Sequence, residues 1–181
     1  MTKYPARYLP HTLSNKDKQL QLKMLHKSTK LYHKQQYYTR KQLSSFNTKT
    51  SKHILNARKI YNITNITPNH QLALKTGCSL SALNKIVNKG EGAYYSSGSR
   101  PSQTPQSWGL ARLASAITSG KAAAVDYDII YNGCQHNKKA FILAKLSKRK
   151  YHTPHNKRKH NGNTSATTMR RRKGDNKDNK Q

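Results

Sequence analysis

Three acidic side chains in the apolar middle of the sequence are the first candidates for chemistry. Glu91, Asp126 and Asp128 could together hold a divalent metal, as the carboxylates of a nuclease do. The two aspartates are only two residues apart, however, and side chains at i and i+2 point in different directions on a helix. We therefore expect Asp126 to pair with Arg112 or Lys121, or to lie in the first turn of its helix, and we keep a nuclease as a minor alternative.

The thiols and imidazoles offer a second kind of chemistry. The chain has two cysteines, Cys78 and Cys134, and nine histidines, but it lacks the CxxC spacing that is typical of zinc sites. The first residues contain no apolar segment of the kind found in secretory signals, and thiols stay reduced inside cells. We therefore expect two free thiols, no cofactor and a protein that is not secreted. A zinc site built from both cysteines and two histidines remains an alternative.

The charge of the chain points to a binding function. There are 35 Lys+Arg against 6 Asp+Glu, and the net charge is +11 over residues 1–53, +7 over 54–144 and +11 over 145–181. A chain with this charge repels itself unless a polyanion neutralises it. Clustered Lys and Arg bind phosphates because they release counterions. We expect a nucleic-acid partner, with DNA favoured over RNA. An anionic membrane ranks second, but no segment reaches the roughly 18–20 apolar residues of a membrane span.

A helix–turn–helix pattern occupies the centre of the chain. Ala73 is a small residue where two helices would cross, Gly77 permits a tight turn, and Ser79 can cap the second helix. Leu83 and Ile86 would pack that helix against the first. Its exposed face would offer polar and cationic groups to phosphates or base edges, namely Ser81, Asn84, Lys85 and Asn88. The alternative, which we favour, is a structural hairpin, since any short helix–Gly–helix segment gives the same pattern.

Residues 89–102 are rich in Gly, Pro and Ser, which predicts a long loop. The loop contains Tyr94 and Tyr95, followed by Arg100. Paired tyrosines next to an arginine can stack bases and bind phosphate. The alternative, which we favour, is that the two tyrosines anchor the loop on the helices. The Gly-Lys-Ser/Thr ending of a phosphate-binding loop is missing.

From residue 145 onward the apolar content falls and basic clusters alternate with Asn, Gly, Ser and Thr. Such a segment buries too little apolar surface to offset the entropy lost on ordering, so we predict a disordered tail. We expect its basic clusters to neutralise phosphates, and a nuclear targeting signal is an alternative for them. The basic residues assigned to nucleic-acid binding are Arg149, Lys157, Arg158, Lys159, Arg170, Arg171 and Arg172, together with Arg100.

Helix signals determine the predicted fold. Ser14 followed by Asp17 predicts an amphipathic helix to about residue 34, with Leu20 and Met24 on its apolar face. Ser51 and the Thr-Pro pairs at 67–68 and 104–105 predict three more starts. Gly120 is expected to end the helix that begins at 105, and a last helix should run to Gly133. Strand patterns are weak throughout. We predict an all-α fold, with a basic N-terminal arm over 1–52, a helical core domain over 53–144 and the disordered basic tail over 145–181.

Four runs of residues resemble a known family. They are GAYYSSGSRP at 92–101, Ser107-Trp108, ARLAS at 111–115 and GKAAAVD at 120–126. These runs are similar to an uncharacterised domain family of large double-stranded DNA viruses of eukaryotes and of some tailed phages. The similarity spans roughly residues 4–135, and Ser102 and Ser119 depart from the Asn and Gly of the family pattern. The resemblance implies a viral context, and it brings no established activity and no catalytic residues.

These observations favour a non-enzymatic viral protein that binds nucleic acid through basic arms with little sequence preference. We expect it in the virion or inside the host cell, in the nucleus or a cytoplasmic viral factory. The alternative is a minor capsid or structural virion component whose basic arms contact coat subunits or packaged DNA.

Overall fold

The structure, a computed structural model, describes residues 4–151. In that range it contains eight α-helices, a short 3-10 turn at Ala6–Tyr8 and no β-strand. The helices are α1 (Asn15–Tyr32), α2 (Lys52–Tyr61), α3 (His70–Thr76), α4 (Leu80–Ser97), α5 (Pro105–Ile117), α6 (Lys121–Val125), α7 (Tyr127–Gly133) and α8 (Lys139–Tyr151). The predicted all-α fold is confirmed. None of the helices between residues 4 and 151 has the length and apolar content that crossing a membrane requires.

Most helix starts follow from local capping. The Ser14 side chain accepts a hydrogen bond from the Asp17 amide, and Ser51 caps α2 in a similar way. Thr104 and Ser107 form a reciprocal capping box at the start of α5. The start predicted at residues 67–68 is wrong, because the Asn69 side chain caps α3 by accepting from the Leu72 amide at 2.8 Å.

The predicted long loop over 89–102 is also wrong, because α4 continues to Ser97. Gly90 does not break this helix, since it lies where α4 crosses α5. A Cβ on Gly90 would come within 2.6 Å of the Gly109 Cα, so the close crossing depends on glycine. The connection between the two helices is only residues 98–104.

One apolar core surrounds this crossing. Helices α2 and α6 pack against α5, α7 packs against α4, and α8 packs against α5, α6 and α7. The fully buried side chains of this core include Leu72, Leu83, Ile86, Leu113, Ile117 and Ile130. Truncation of one such leucine to alanine costs about 2–5 kcal/mol.

The end of the core differs from the predicted boundaries. Helix α5 stops at Ile117, and Gly120 caps α6 rather than ending α5. The disordered tail was predicted to begin at residue 145, but this residue lies inside α8, which continues to Tyr151. The reason is a buried stripe of small residues, Ala140, Ala144 and Ser147, which packs α8 onto the core despite its many cations. The rest of the predicted tail, residues 152–181, lies outside the described residues.

The N-terminal residues pack against α4. Helix α1 buries Met24 and Leu25, but also the polar side chains of Asp17, Gln21 and Ser28, while Leu20 is exposed. Two hydroxyl groups of α1 donate hydrogen bonds across the interface with α4. Ser28 donates to the Tyr95 carbonyl at 3.3 Å, and Thr29 donates to the Ser96 carbonyl at 3.3 Å.

Arg40 fastens the segment after α1 to the same surface. Its guanidinium donates to the Ser28 hydroxyl at 2.9 Å, to the Ser99 hydroxyl at 2.8 Å and to the Tyr94 carbonyl at 3.1 Å. The Arg40 amide donates to the Tyr94 hydroxyl at 2.9 Å, and the guanidinium carbon lies 3.6 Å from the centre of the Tyr94 ring. Burial lowers the pKa of Arg40, and these contacts replace the water that its charge has lost.

Candidate nucleic-acid interface

The helix–turn–helix hairpin is formed by α3 and α4. Gly77 ends α3 in the left-handed conformation, with φ of +73°, and its amide donates to the Ala73 carbonyl at 2.8 Å. Ser79 caps α4 by accepting a hydrogen bond from the Ala82 amide at 3.2 Å. Leu83 and Ile86 are buried. The turn and the cap therefore lie at the predicted positions.

The predicted contact residues on α4 share one exposed stripe. Ser81, Asn84, Lys85 and Asn88 are all exposed, and their spacing of i, i+3, i+4 and i+7 places them on one helical face. Hydroxyl, amide and ammonium groups at this spacing can donate hydrogen bonds to phosphates or base edges. The stripe has the composition and exposure that a nucleic-acid contact needs.

A disulfide joins the hairpin turn to the end of α7. Cys78 and Cys134 are bonded to each other, so the prediction of two free thiols is wrong. The Ser79 amide donates to the Gly133 carbonyl, and the Gln135 amide donates to the Gly77 carbonyl, both at 2.8 Å. These two hydrogen bonds hold the cysteines side by side. The proximity of the cysteines could not be predicted from the sequence, because 56 positions separate them. Because the disulfide uses both thiols, the zinc alternative is also excluded, and residues 4–151 hold no other cluster of three metal-binding side chains.

An open groove of about 650 Å³ lies next to this disulfide. Its walls come from the hairpin turn and from the connection between α7 and α8. The lining contains Leu74, which is 82% exposed, and one cation, Lys138, but no acid and no histidine. The groove therefore contains no carboxylate and no imidazole.

Asp126 is buried and fully engaged by cations. Its carboxylate accepts from Arg112 Nε at 2.7 Å and from Arg112 Nη2 at 2.8 Å, and Lys89 Nζ lies 2.8 Å away. The predicted pairing with Arg112 is confirmed, whereas the second cation is Lys89 and not Lys121. A carboxylate held by two cations is not available to a metal ion, which removes one of the three ligands of the nuclease alternative.

A second acid, Asp17, is also satisfied within the fold. It accepts from the Ser45 hydroxyl at 2.6 Å and from the Ser45 amide at 2.9 Å. These bonds favour the ionised form and lower the pKa of Asp17, with the Ser45 hydroxyl as the largest cause.

The cations greatly outnumber the acids over the described residues. Residues 4–151 contain 25 Lys and Arg against four acids, and two of those acids are the internally bonded Asp17 and Asp126. Arg100 is exposed at the C-terminal side of α4, and Arg149 is exposed near the end of α8. The hairpin stripe lies on the first half of α4, whereas Arg100 follows the end of that helix and Arg149 lies on α8. The remaining assigned residues, Lys157, Arg158, Lys159, Arg170, Arg171 and Arg172, lie outside the described range.

The two tyrosines of the predicted loop have different environments. Tyr94 is fully buried under Arg40, and burial raises the pKa of its hydroxyl, so this residue is an anchor. Tyr95 is half-buried and lies beside Tyr32 and Tyr37, whose rings come from the N-terminal part. This cluster was not predicted from the sequence. The pattern that could have indicated it is the group of tyrosines among cations at residues 32–41.

The fold and the surface define an all-α, strongly basic domain built around a disulfide-fastened helix–turn–helix hairpin. A sequence model described as a family of unknown function, DUF5824, matches residues 5–132, and the chain belongs to that family. No curated protein matches the chain, and no solved structure matches it.

Proposed function

We propose that this protein binds nucleic acid, DNA in preference to RNA, through phosphate contacts with little sequence preference, and that it does so as a non-enzymatic viral protein. The observation that supports the proposal is the excess of 25 cations over four acids in residues 4–151. Only Arg112 and Lys89 form ion pairs within that range, and every cation there except Arg40 and Arg112 is exposed. A polyanion is the partner that relieves the resulting self-repulsion.

The exposed stripe on α4 is the best candidate for a groove contact. A recognition helix places its N-terminal residues against base edges, and Ser81, Asn84 and Lys85 lie in the first two turns of α4. The buried side of the same turns contributes Leu83 and Ile86 to the core, so the stripe sits on a rigid support. The basic clusters of residues 152–181 would add further phosphate contacts.

Salt dependence is the first test. The affinity for a random duplex should fall steeply with salt, by about 10³–10⁵ between roughly 50 and 200 mM if six to ten phosphates are contacted. Fluorescence anisotropy measures this directly. A flat salt profile contradicts the proposal, because phosphate contacts cannot form without releasing counterions.

A set of variants tests where the duplex binds. Asn84→Ala with Lys85→Ala removes two groups of the stripe, and Lys121→Ala is a matched control that removes one exposed cation from α6. If the stripe contacts DNA, the double variant weakens binding much more than the control does. A chain that ends at residue 151 measures the share of the C-terminal clusters. If that truncation abolishes binding while the double variant leaves it intact, the hairpin is scaffolding.

The disulfide favours a second candidate, a minor capsid or structural component of the virus particle. Disulfides persist on virion surfaces and outside cells, whereas the cell interior keeps thiols reduced. In this role the basic arms would contact coat subunits or packaged DNA. Purified particles that are mildly disrupted separate the two candidates. Co-fractionation with empty shells supports the structural role, and co-fractionation with the genome supports the nucleic-acid binder.

A further inference from the structure

Three tyrosines from two distant parts of the chain form an aromatic cluster at the surface. Tyr32 ends α1, Tyr37 follows it in the next segment, and Tyr95 lies on α4. The ring centroids of Tyr37 and Tyr95 are 5.0 Å apart, and those of Tyr32 and Tyr37 are 6.2 Å apart. The Tyr32 and Tyr95 rings are parallel to within 3°. Tyr37 is 70% exposed, whereas Tyr32 and Tyr95 are partly buried, so the Tyr37 ring is the main aromatic surface that the cluster presents to solvent.

The cluster is held in place by the backbone around it. The Gln35 amide donates to the Tyr32 carbonyl at 3.0 Å, and the Gln36 amide donates to the Leu31 carbonyl at 3.0 Å. On the other side of the cluster, the ring centroids of Tyr95 and Tyr94 are 5.1 Å apart, and the Tyr94 ring is packed against the Arg40 guanidinium. A rigid surface loses little conformational entropy when a ligand binds, which favours binding.

The charges near the cluster select the kind of partner. Lys30, Lys34 and Lys41 are exposed on the same stretch of chain as Tyr32 and Tyr37, and no acid occurs in the sequence between Asp17 and Glu91. Glu91 itself lies one turn before Tyr95, but its side chain packs toward Gly109 of α5. Cationic ligands are therefore repelled, and an anionic ligand with an aromatic face is favoured. An unpaired nucleotide has both properties, whereas the bases of a duplex are already stacked on each other.

We propose that Tyr37, which is held edge-on against Tyr32 and Tyr95, stacks an unpaired base of a single-stranded nucleic acid, with Lys34 and Lys41 against the neighbouring phosphates. This inference rests on the proposed nucleic-acid binding and adds a second mode to it, separate from the duplex contact of α4. Stacking of this kind tolerates any base, so the site would follow single strands without reading their sequence.

Tyr37→Ala in the full chain tests the site, with a labelled thymidine strand of about 20 nucleotides and a duplex of equal length as probes. Loss of one stacking contact of about 1–3 kcal/mol should weaken single-strand affinity roughly 5- to 150-fold and leave duplex affinity unchanged. Because stacking releases no counterion, the loss should be equal at low and high salt. Tyr37→Phe keeps the ring and should bind like the wild type. Tyr131→Ala, which removes a tyrosine that is 50% exposed on α7, is the matched control and should have no effect.

The outcomes separate the two proposals. If the wild type binds nucleic acid but Tyr37→Ala weakens both probes equally, or neither, the stacking site is refuted and the general binding function stands. An equal loss from Tyr131→Ala also refutes the site. If the wild type binds neither probe, both proposals fail.

Discussion

Reduction of the Cys78–Cys134 disulfide should destabilise the protein by about 4 kcal/mol. The bond closes a loop with a sequence separation of 56 residues, which contains the hairpin helix α4 together with α5, α6 and α7. A loop of that length loses roughly 14 cal/mol/K of closure entropy in the unfolded chain, which is about 4 kcal/mol at 25 °C. For a chain of this size, such a change lowers the melting temperature by roughly 8–16 °C.

The fold itself should survive reduction. The amides of Ser79 and Gln135 still bond to the carbonyls of Gly133 and Gly77 across the same bridge, and the surrounding core does not depend on the sulfur atoms. The loss is therefore expected to act mainly through the unfolded state. The urea m-value should rise at the same time, because an unfolded chain without the crosslink exposes more surface.

Urea unfolding with and without a reductant measures this effect, with the fluorescence of the single Trp108 as the signal. Cys78→Ser combined with Cys134→Ser is the control, since its midpoint should match that of the reduced wild type and should not respond to the reductant. The reasoning is refuted if reduction, verified by titration of two free thiols, leaves the wild-type midpoint unchanged.

Three further predictions concern single side chains. Gly77→Val should cost at least about 1–3 kcal/mol, because φ is +73° and the new side chain would collide with Lys138; an unchanged urea midpoint would contradict this. Asp126→Asn should cost about 3 kcal/mol, since it leaves Arg112 without its carboxylate, whereas Asp128→Asn on the exposed face of α7 should change stability by less than about 0.5 kcal/mol in the same assay. The lowered pKa of Asp17 stabilises the fold above pH 3.8 and this stabilisation is lost as the pH falls through the folded-state pKa. The stability difference between wild type and Ser45→Ala should therefore shrink between about pH 5 and pH 2, and a constant difference would show that Ser45 acts by another route.

Features that depend on neighbouring residues were predictable from the sequence. Ser14, Ser51, Ser79 and Thr104 cap helices because a cap needs only a side-chain oxygen and an amide two or three residues away. The hairpin turn at Gly77 was predictable for the same reason, since its conformation is local. The exposed stripe of α4 then follows from helical periodicity alone.

Features that depend on distant residues were not predictable in this way. Gly90 has the composition of a loop, and its role at the helix crossing requires knowledge that Gly109 faces it. The disulfide partners are far apart in sequence and become neighbours only after α7 has packed on α4. Helix α8 was hidden by its lysines and arginines, although its buried stripe of Ala140, Ala144 and Ser147 has helical spacing. The Tyr32, Tyr37 and Tyr95 cluster needs two separate parts of the chain.

The hydrogen bonds of Arg40 have a consequence for how the polypeptide can be divided. Residues 47–50 are all exposed, and they connect the part of the chain that carries Arg40 to the part that carries Tyr94 and Ser99. A chain cut there would consist of two fragments. The hydrogen bonds of Arg40 would then hold the smaller fragment on the larger one as a noncovalent complex. The larger fragment alone would expose the Tyr94 hydroxyl and the hydroxyl and carbonyl of Ser99 to water. The N-terminal residues are therefore part of the folded unit. Removal of residues 1–52 would leave Tyr94 and Ser99 without their hydrogen bonds to Arg40.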